Sequence, residues 1–282
     1  MQERRITVAG HGGEVELAIA EAGVGGRPLA LVHGFTGAKE DFTDHLDRLA
    51  DLGWHVIAPD QRGHGASAQP ADESAYSFDA YATDLLALLD AMGWPSAVVL
   101  GHSMGGMVLQ TAALRAPERF EALILMDTTH KVVRADEGVI DLAIAIARTE
   151  GMAAVMAAQE AAGQADPLAN PVHARLVAEK PGYKEFGDRK MLGSSPAMYA
   201  SMIKQFTDAS SGLDRLEQLR SIAVPTLVLV GEHDAPFVKP SIRMAEAIPG
   251  AQLATIKGGA HSPQFESPDA WWAALSGFLS TL

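Results

Sequence analysis

Gly101-His102-Ser103-Met104-Gly105 places a serine midway between two glycines, and that spacing has a chemical use. A serine hydroxyl is a weak nucleophile at neutral pH; it attacks a carbonyl carbon when a base takes its proton and a third group orients the base. Flanking glycines let the chain turn sharply from strand to helix with a strained residue at the apex, while neighbouring backbone passes close by. The surroundings suit this. Ala97 to Leu100 is an apolar run of strand length and Met104 to Leu114 reads as a helix. Ser103 would then project from the carboxyl end of a strand, where open α/β sheets bind their ligands. Ten histidines supply candidate bases. Asp127 directly after Met126, and Asp234 shortly after Val230, supply candidate orienting acids.

Composition narrows the chemistry further. The chain has 282 residues and no cysteine, which excludes disulfides, thiolate catalysis, zinc-cysteine sites and iron-sulfur clusters together. No H-E-x-x-H or dense His/carboxylate cluster points to a metal, and no phosphate-binding glycine motif follows a strand, so neither a metal nor another cofactor is expected. A net charge of -13 opposes nucleic acid and anionic membrane as partners. The N-terminal residues lack a signal-peptide apolar stretch and no run reaches about 18 apolar residues, so a cytoplasmic protein is expected, monomer or homodimer.

The elements that must position these residues are written as short apolar runs alternating with helical patterns. Ile6 to Val8 and Val15 to Ala20 flank His11-Gly12-Gly13 and predict a hairpin. Leu29 to Val32, Val56 to Ala58, Ala97 to Leu100, Ala122 to Met126, Thr226 to Val230 and Leu253 to Ile256 follow. The first four of these show no polar alternation, as parallel strands covered on both faces require. Tyr81, Leu85, Leu88, Leu89 and Met92 keep helical spacing after a Ser77 N-cap, and Ser267-Pro268-Asp269 opens a last helix. This predicts an α/β fold with a doubly wound, mostly parallel sheet. Residues 131–212 break the alternation: Ile140 to Ala147, Met152 to Ala162 and Met198 to Phe206 are helical and no strand-like run occurs. The expected organisation is a core of residues 1–130 and 213–282 with a helical cap at 131–212. The insertion has 9 basic and 10 acidic side chains, leaving -12 on the core.

His33-Gly34-Phe35, Asp60-Gln61-Arg62-Gly63-His64-Gly65-Ala66-Ser67, Gly101 to Gly106, Gly231-Glu232-His233-Asp234 and Gly258-Gly259-Ala260-His261 stand in that order, each after a predicted strand. With these motifs in this order the chain resembles the α/β-hydrolase family of serine hydrolases with a helical cap. The resemblance implies Ser103 as nucleophile and His261, in a glycine-rich loop before the final helix, as base. For the acid it favours Asp234, while relatives that place it after the sixth strand keep Asp127 open. It implies an oxyanion hole from the backbone N–H groups of Phe35 and Met104, and a structural role for residues 60–67.

A serine at the elbow disfavours the dehalogenases and epoxide hydrolases of this fold that attack with aspartate. The expected activity is hydrolysis of a carboxylic ester or lactone through an acyl-serine. A cofactor-free haloperoxidase or perhydrolase and a slowly turning over, hormone-receptor-like binding protein are the alternatives. A small to medium neutral hydrophobic substrate is expected if some of Met152, Met156, Met191, Met198 and Met202, set among many alanines in the near-neutral insertion, face the site; cap-to-core packing is the equal alternative for all of them.

Overall fold

Side chains that are apolar in both directions along a strand force helices onto both faces of one sheet. The computed structural model describes residues 1–161 and 171–282 and shows this arrangement. Its strands are β1 (Gln2–Gly10), β2 (Gly13–Ala22), β3 (Arg27–Val32), β4 (Trp54–Pro59), β5 (Ala97–His102), β6 (Phe120–Met126), β7 (Thr226–Gly231) and β8 (Gln252–Ile256). They form one sheet in the order β1-β2-β4-β3-β5-β6-β7-β8. The β1–β2 hairpin and the β2–β4 pair are antiparallel; every other pair is parallel.

Helices are α1 (Thr43–Asp51), α2 (Phe78–Ala91), α3 (Met104–Arg115), α4 (Glu137–Glu150), α5 (Met152–Ala161), α6 (Pro171–Glu179), α7 (Tyr183–Leu192), α8 (Pro196–Thr207), α9 (Leu216–Leu219), α10 (Ala235–Ala247), α11 (Pro263–Glu266) and α12 (Pro268–Leu279). Leu29, Leu31, Val98, Leu100 and Ile124 point to one face and pack with Leu46 and Leu49 of α1 and Trp271 and Leu275 of α12. Their neighbours Ala30, Val32, Val99, Leu123 and Leu125 point to the other, against Leu88 of α2, Val108 of α3 and Met244 of α10. Ser77 caps α2 by accepting from the Ala80 N–H at 3.0 Å, and Pro268 stands in the first turn of α12, as their sequences predict.

The chain order reverses at β3, which lies between β4 and β5, so the carboxyl ends of β3 and β5 open the crevice where α/β sheets seat ligands. Between β6 and β7 the described residues form α4 to α9 and no named strand. Ala162 of the expected Met152 to Ala162 helix, like residues 163–170 of the insertion, lies outside the described residues. The two connecting segments meet where Lys131 bridges Asp214 and the Arg215 N–H donates to the His130 carbonyl at 2.8 Å. Among the described residues no helix is long and apolar enough to cross a membrane.

One ion-pair cluster ties the antiparallel edge to the parallel sheet. Glu21 of β2 is buried and accepts from Arg4 Nε of β1 at 2.8 Å, from Gln2 Nε2 at 3.1 Å, and meets His55 Nε2 of β4 at 2.7 Å. The Arg4 bond, with those of His55 and Gln2, outweighs burial and lowers its carboxyl to about 2. A lowered carboxyl contributes stability above its unfolded value and loses it as pH falls through the folded one. Glu21→Gln is therefore expected to cost about 1–3 kcal/mol at pH 6 by denaturant titration. The difference from wild type should shrink toward pH 2; a pH-independent difference would count against the ion pair as its source.

Candidate active site

At the end of β5 the backbone of Ser103 adopts φ 52° and ψ -117°, a conformation costly for a residue with a Cβ. The surroundings hold it there. The Ser103 N–H donates to the Met126 carbonyl at 2.9 Å, while its own carbonyl accepts from Thr128 Oγ1 at 2.6 Å and from the Gly106 N–H at 3.0 Å. The motif glycines are needed because a Cβ on Gly101 would lie 2.5 Å from the Gly105 carbonyl oxygen. One on Gly105 would lie 2.5 Å from the Val32 and His33 carbonyl oxygens. α3 can thus start directly beneath β3, with the Ser103 hydroxyl facing the crevice.

Ser103 Oγ is 3.0 Å from His261 Nε2, and His261 Nδ1 is 2.9 Å from Asp234 Oδ2. A carboxylate can only accept, so Nδ1 carries the proton and Nε2 presents a lone pair to the serine hydroxyl. Three distant segments meet here: the β5–α3 elbow, the turn after β7 and the loop after β8. Of the two aspartates the sequence leaves open, Asp234 meets the imidazole. Asp127 instead turns its Oδ1 toward the Gly231 N–H at 2.8 Å, because its own N–H, bonded to the Leu229 carbonyl at 2.8 Å, docks it against β7. Glu232 accepts from the Gly258 N–H at 2.9 Å at the surface.

The loop after β3 runs alongside the serine: a Cβ on Gly34 would lie 3.0 Å from the Ser103 Cβ. The Phe35 N–H follows in this loop, and the Met104 N–H opens α3. The Phe35 ring packs on Tyr199 and Phe206 of α8, centroids 5.1 and 4.9 Å away. His33 beneath the loop is neutral by its bonds: Nε2 accepts from the Gln61 N–H at 3.0 Å, leaving the Nδ1 proton for the Gly34 carbonyl at 2.8 Å. Burial lowers its pKa in the same sense. The 60–67 loop is bonded both within itself and to its surroundings: Asp60 accepts from the Lys39 and Ala66 N–H groups at 2.7 and 3.0 Å, and Arg62 pairs with Asp84. Among the described residues no group of three or more His, Asp or Glu side chains is arranged to hold a metal ion.

One positioning group escapes a reading of the sequence. Glu266 Oε2 accepts from the Ala260 N–H at 2.6 Å and the Ser262 N–H at 3.1 Å, clamping the peptides on either side of His261. Its spacing resembles an ordinary helix-end residue, so no local signal marks it. His102 Nε2 lies 2.7 Å from the His261 carbonyl, which forces that nitrogen to donate; burial, first, and His261 push its pKa down to about 3. Phe237 of α10 covers the His261 ring at 4.7 Å. Glu266→Ala is expected to lower kcat on the order of 10- to 100-fold with KM little changed, because it loosens the imidazole. Glu266→Gln, whose amide oxygen still accepts both N–H groups, should lie within about threefold of wild type. Steady-state kinetics decide this, and equal losses in both variants would refute the clamp.

Comparison with known proteins extends this picture. A sequence profile of the alpha/beta hydrolase fold matches residues 27–268. Epoxide hydrolase A of Mycobacterium tuberculosis H37Rv is 40% identical over 110 residues, which cover 39% of this chain and only 34% of that protein. The enol-lactonase from Burkholderia xenovorans LB400 superposes with a TM-score of 0.82 at 25% identity, covering 98% of this chain and 100% of its own. A thermophilic esterase from Thermogutta terrifontis superposes with a TM-score of 0.82 at 28% identity, covering 99% and 98%. With the profile spanning most of its length, the chain belongs to the alpha/beta hydrolase fold family.

Proposed function

We propose that the protein is a serine hydrolase that cleaves a carboxylic ester or lactone through an acyl-serine. The observation that carries this reading is the continuous chain Ser103 Oγ, His261 Nε2, His261 Nδ1, Asp234 Oδ2, with links of 3.0 and 2.9 Å. Ser103 Oγ attacks the carbonyl carbon as its proton passes to His261 Nε2, and Asp234 stabilises the imidazolium formed. The oxyanion accepts from the N–H groups of Phe35 and Met104. His261 returns the proton to the leaving alkoxide oxygen as the C–O bond breaks; a water deprotonated by the same nitrogen then attacks the acyl carbon, and that proton passes to Ser103 Oγ as its bond to the acyl carbon breaks. The similarity to an enol-lactonase and an esterase supports this substrate class.

In this reading residues 131–212 form a cap over the core of residues 1–130 and 213–282. The substrate is neutral and apolar. Met198 and Met202 are fully buried in the main core and Met152 packs within the insertion's own cluster, so packing accounts for these three. The Phe35 ring, in the loop beside the serine, packs against Tyr199 and Phe206, and the Phe237 ring lies 4.7 Å from that of His261; these rings support an apolar substrate.

Ser103→Ala should keep the fold and lower kcat by roughly 10³ or more. A serine-directed phosphonate should label Ser103; labelling elsewhere would overturn the assignment. Across neutral esters of increasing acyl length, kcat/KM should rise by up to about 0.8 kcal/mol per methylene until the pocket is full. Matched carboxylate-bearing esters should be poorer, because an unpaired anion must be desolvated. A flat series, an acyl burst without turnover, or acyl transfer to hydrogen peroxide in preference to water would each displace this reading.

A further inference from the structure

Asp127 has no part in the chemistry above, yet its placement is costly. It is fully buried and holds φ at 45°, in the left-handed region, at the carboxyl end of β6. Its Oδ1 accepts from the Gly231 N–H at 2.8 Å, and no N–H or hydroxyl donor reaches its Oδ2. The other backbone polar group of Gly231 is held by Asp234, whose N–H donates to the Gly231 carbonyl at 3.1 Å. The two aspartates therefore bracket one glycine, and the side-chain partner left to the Asp127 carboxyl is the Asp234 carboxyl.

A hydrogen bond between two buried carboxyl groups needs one proton between them, because a carboxylate can only accept. Asp234 already accepts from His261 Nδ1, so its carboxyl serves there as an acceptor. Asp127 has one backbone donor, while the charged groups acting on it, Asp234 and Glu266, are both acidic. Burial and then Asp234 drive its pKa well above the carboxylate range. We infer that Asp127 is a neutral carboxylic acid that donates its O–H to Asp234 and so fixes the carboxylate that orients His261. It is a positioning residue acting through Asp234, and the inference rests on the serine-hydrolase reading for its kinetic consequence but not for its protonation state.

Asparagine tests this directly, because its amide oxygen can accept from the Gly231 N–H while its NH₂ replaces the O–H as donor. Asp127→Asn is expected to keep kcat within about threefold of wild type, Asp127→Ala to lose about 10- to 100-fold in kcat at nearly unchanged KM, and Asp234→Asn to lose on the order of 10³ or more. If Asp127→Asn is as damaging as Asp234→Asn, Asp127 acts as an anion and the inference is wrong; full activity in Asp127→Ala also overturns it. Should the alanine variant not fold, infrared spectroscopy of the wild type decides. At neutral pH the C=O stretch of a protonated, buried carboxylic acid should be present in wild type and lost in Asp127→Asn, and its absence from wild type would refute the inference. That band is independent of turnover, so an inactive wild type would remove the hydrolase reading while leaving this measurement intact.

Discussion

The close passage of α3 beneath β3 is the constraint on which the site depends. Ser103 occupies a backbone conformation that costs on the order of 1–3 kcal/mol, and it stays there because β6 bonds its N–H and Thr128 its carbonyl. The same approach, permitted only by the missing side chains of Gly101 and Gly105, brings the β3 loop alongside the serine. The first α3 N–H groups point out of the helix end without intrahelical acceptors, so the elbow that exposes the hydroxyl also supplies a donor beside it.

Around this strained turn, the polar groups are held by backbone bonds rather than by a field of charges. His33 and His102 are buried, each donates to a backbone carbonyl, and burial depresses both, which leaves them neutral. His261 is held at its own carbonyl by His102 and at the neighbouring amides by Glu266. Burial raises Glu266, while its two N–H donors and His261 oppose that rise. In a dry environment each unpaired group would cost about 1–3 kcal/mol, so this network limits the site to few alternative arrangements.

The insertion is joined to this framework at several points. Phe35 stacks against α8, the Ser195 N–H donates to the Gly63 carbonyl at 2.7 Å, and Lys190 of α7 pairs with buried Asp41. Asp41 in turn accepts weakly from the Ala38 N–H at 3.4 Å in the loop after β3, and Lys190 offsets the burial that would otherwise protonate it. A buried pair of this kind adds little net stability while intact, but losing one partner leaves a desolvated charge, so it acts mainly as a registration point. α8 is shared between two cores: Met198 and Met202 enter the main one, and Tyr199 and Ile203 the insertion's own.

Features with a local cause were legible in the sequence. Inner strands buried on both faces read as unbroken apolar runs, the elbow needs glycine at fixed offsets, and the caps of α2 and α12 are written in one or two residues. The serine and the loop bearing His261 could be placed from such patterns. Tertiary structure alone decided which aspartate meets the imidazole, because Asp127 and Asp234 both follow strands and differ only in how β6, β7 and the loop after β8 pack. It also decided that Glu266 clamps that loop and that Met198 and Met202, left open between pocket and packing, fill the core. These outcomes depend on contacts between residues distant in sequence, whose distances and burial no local pattern encodes.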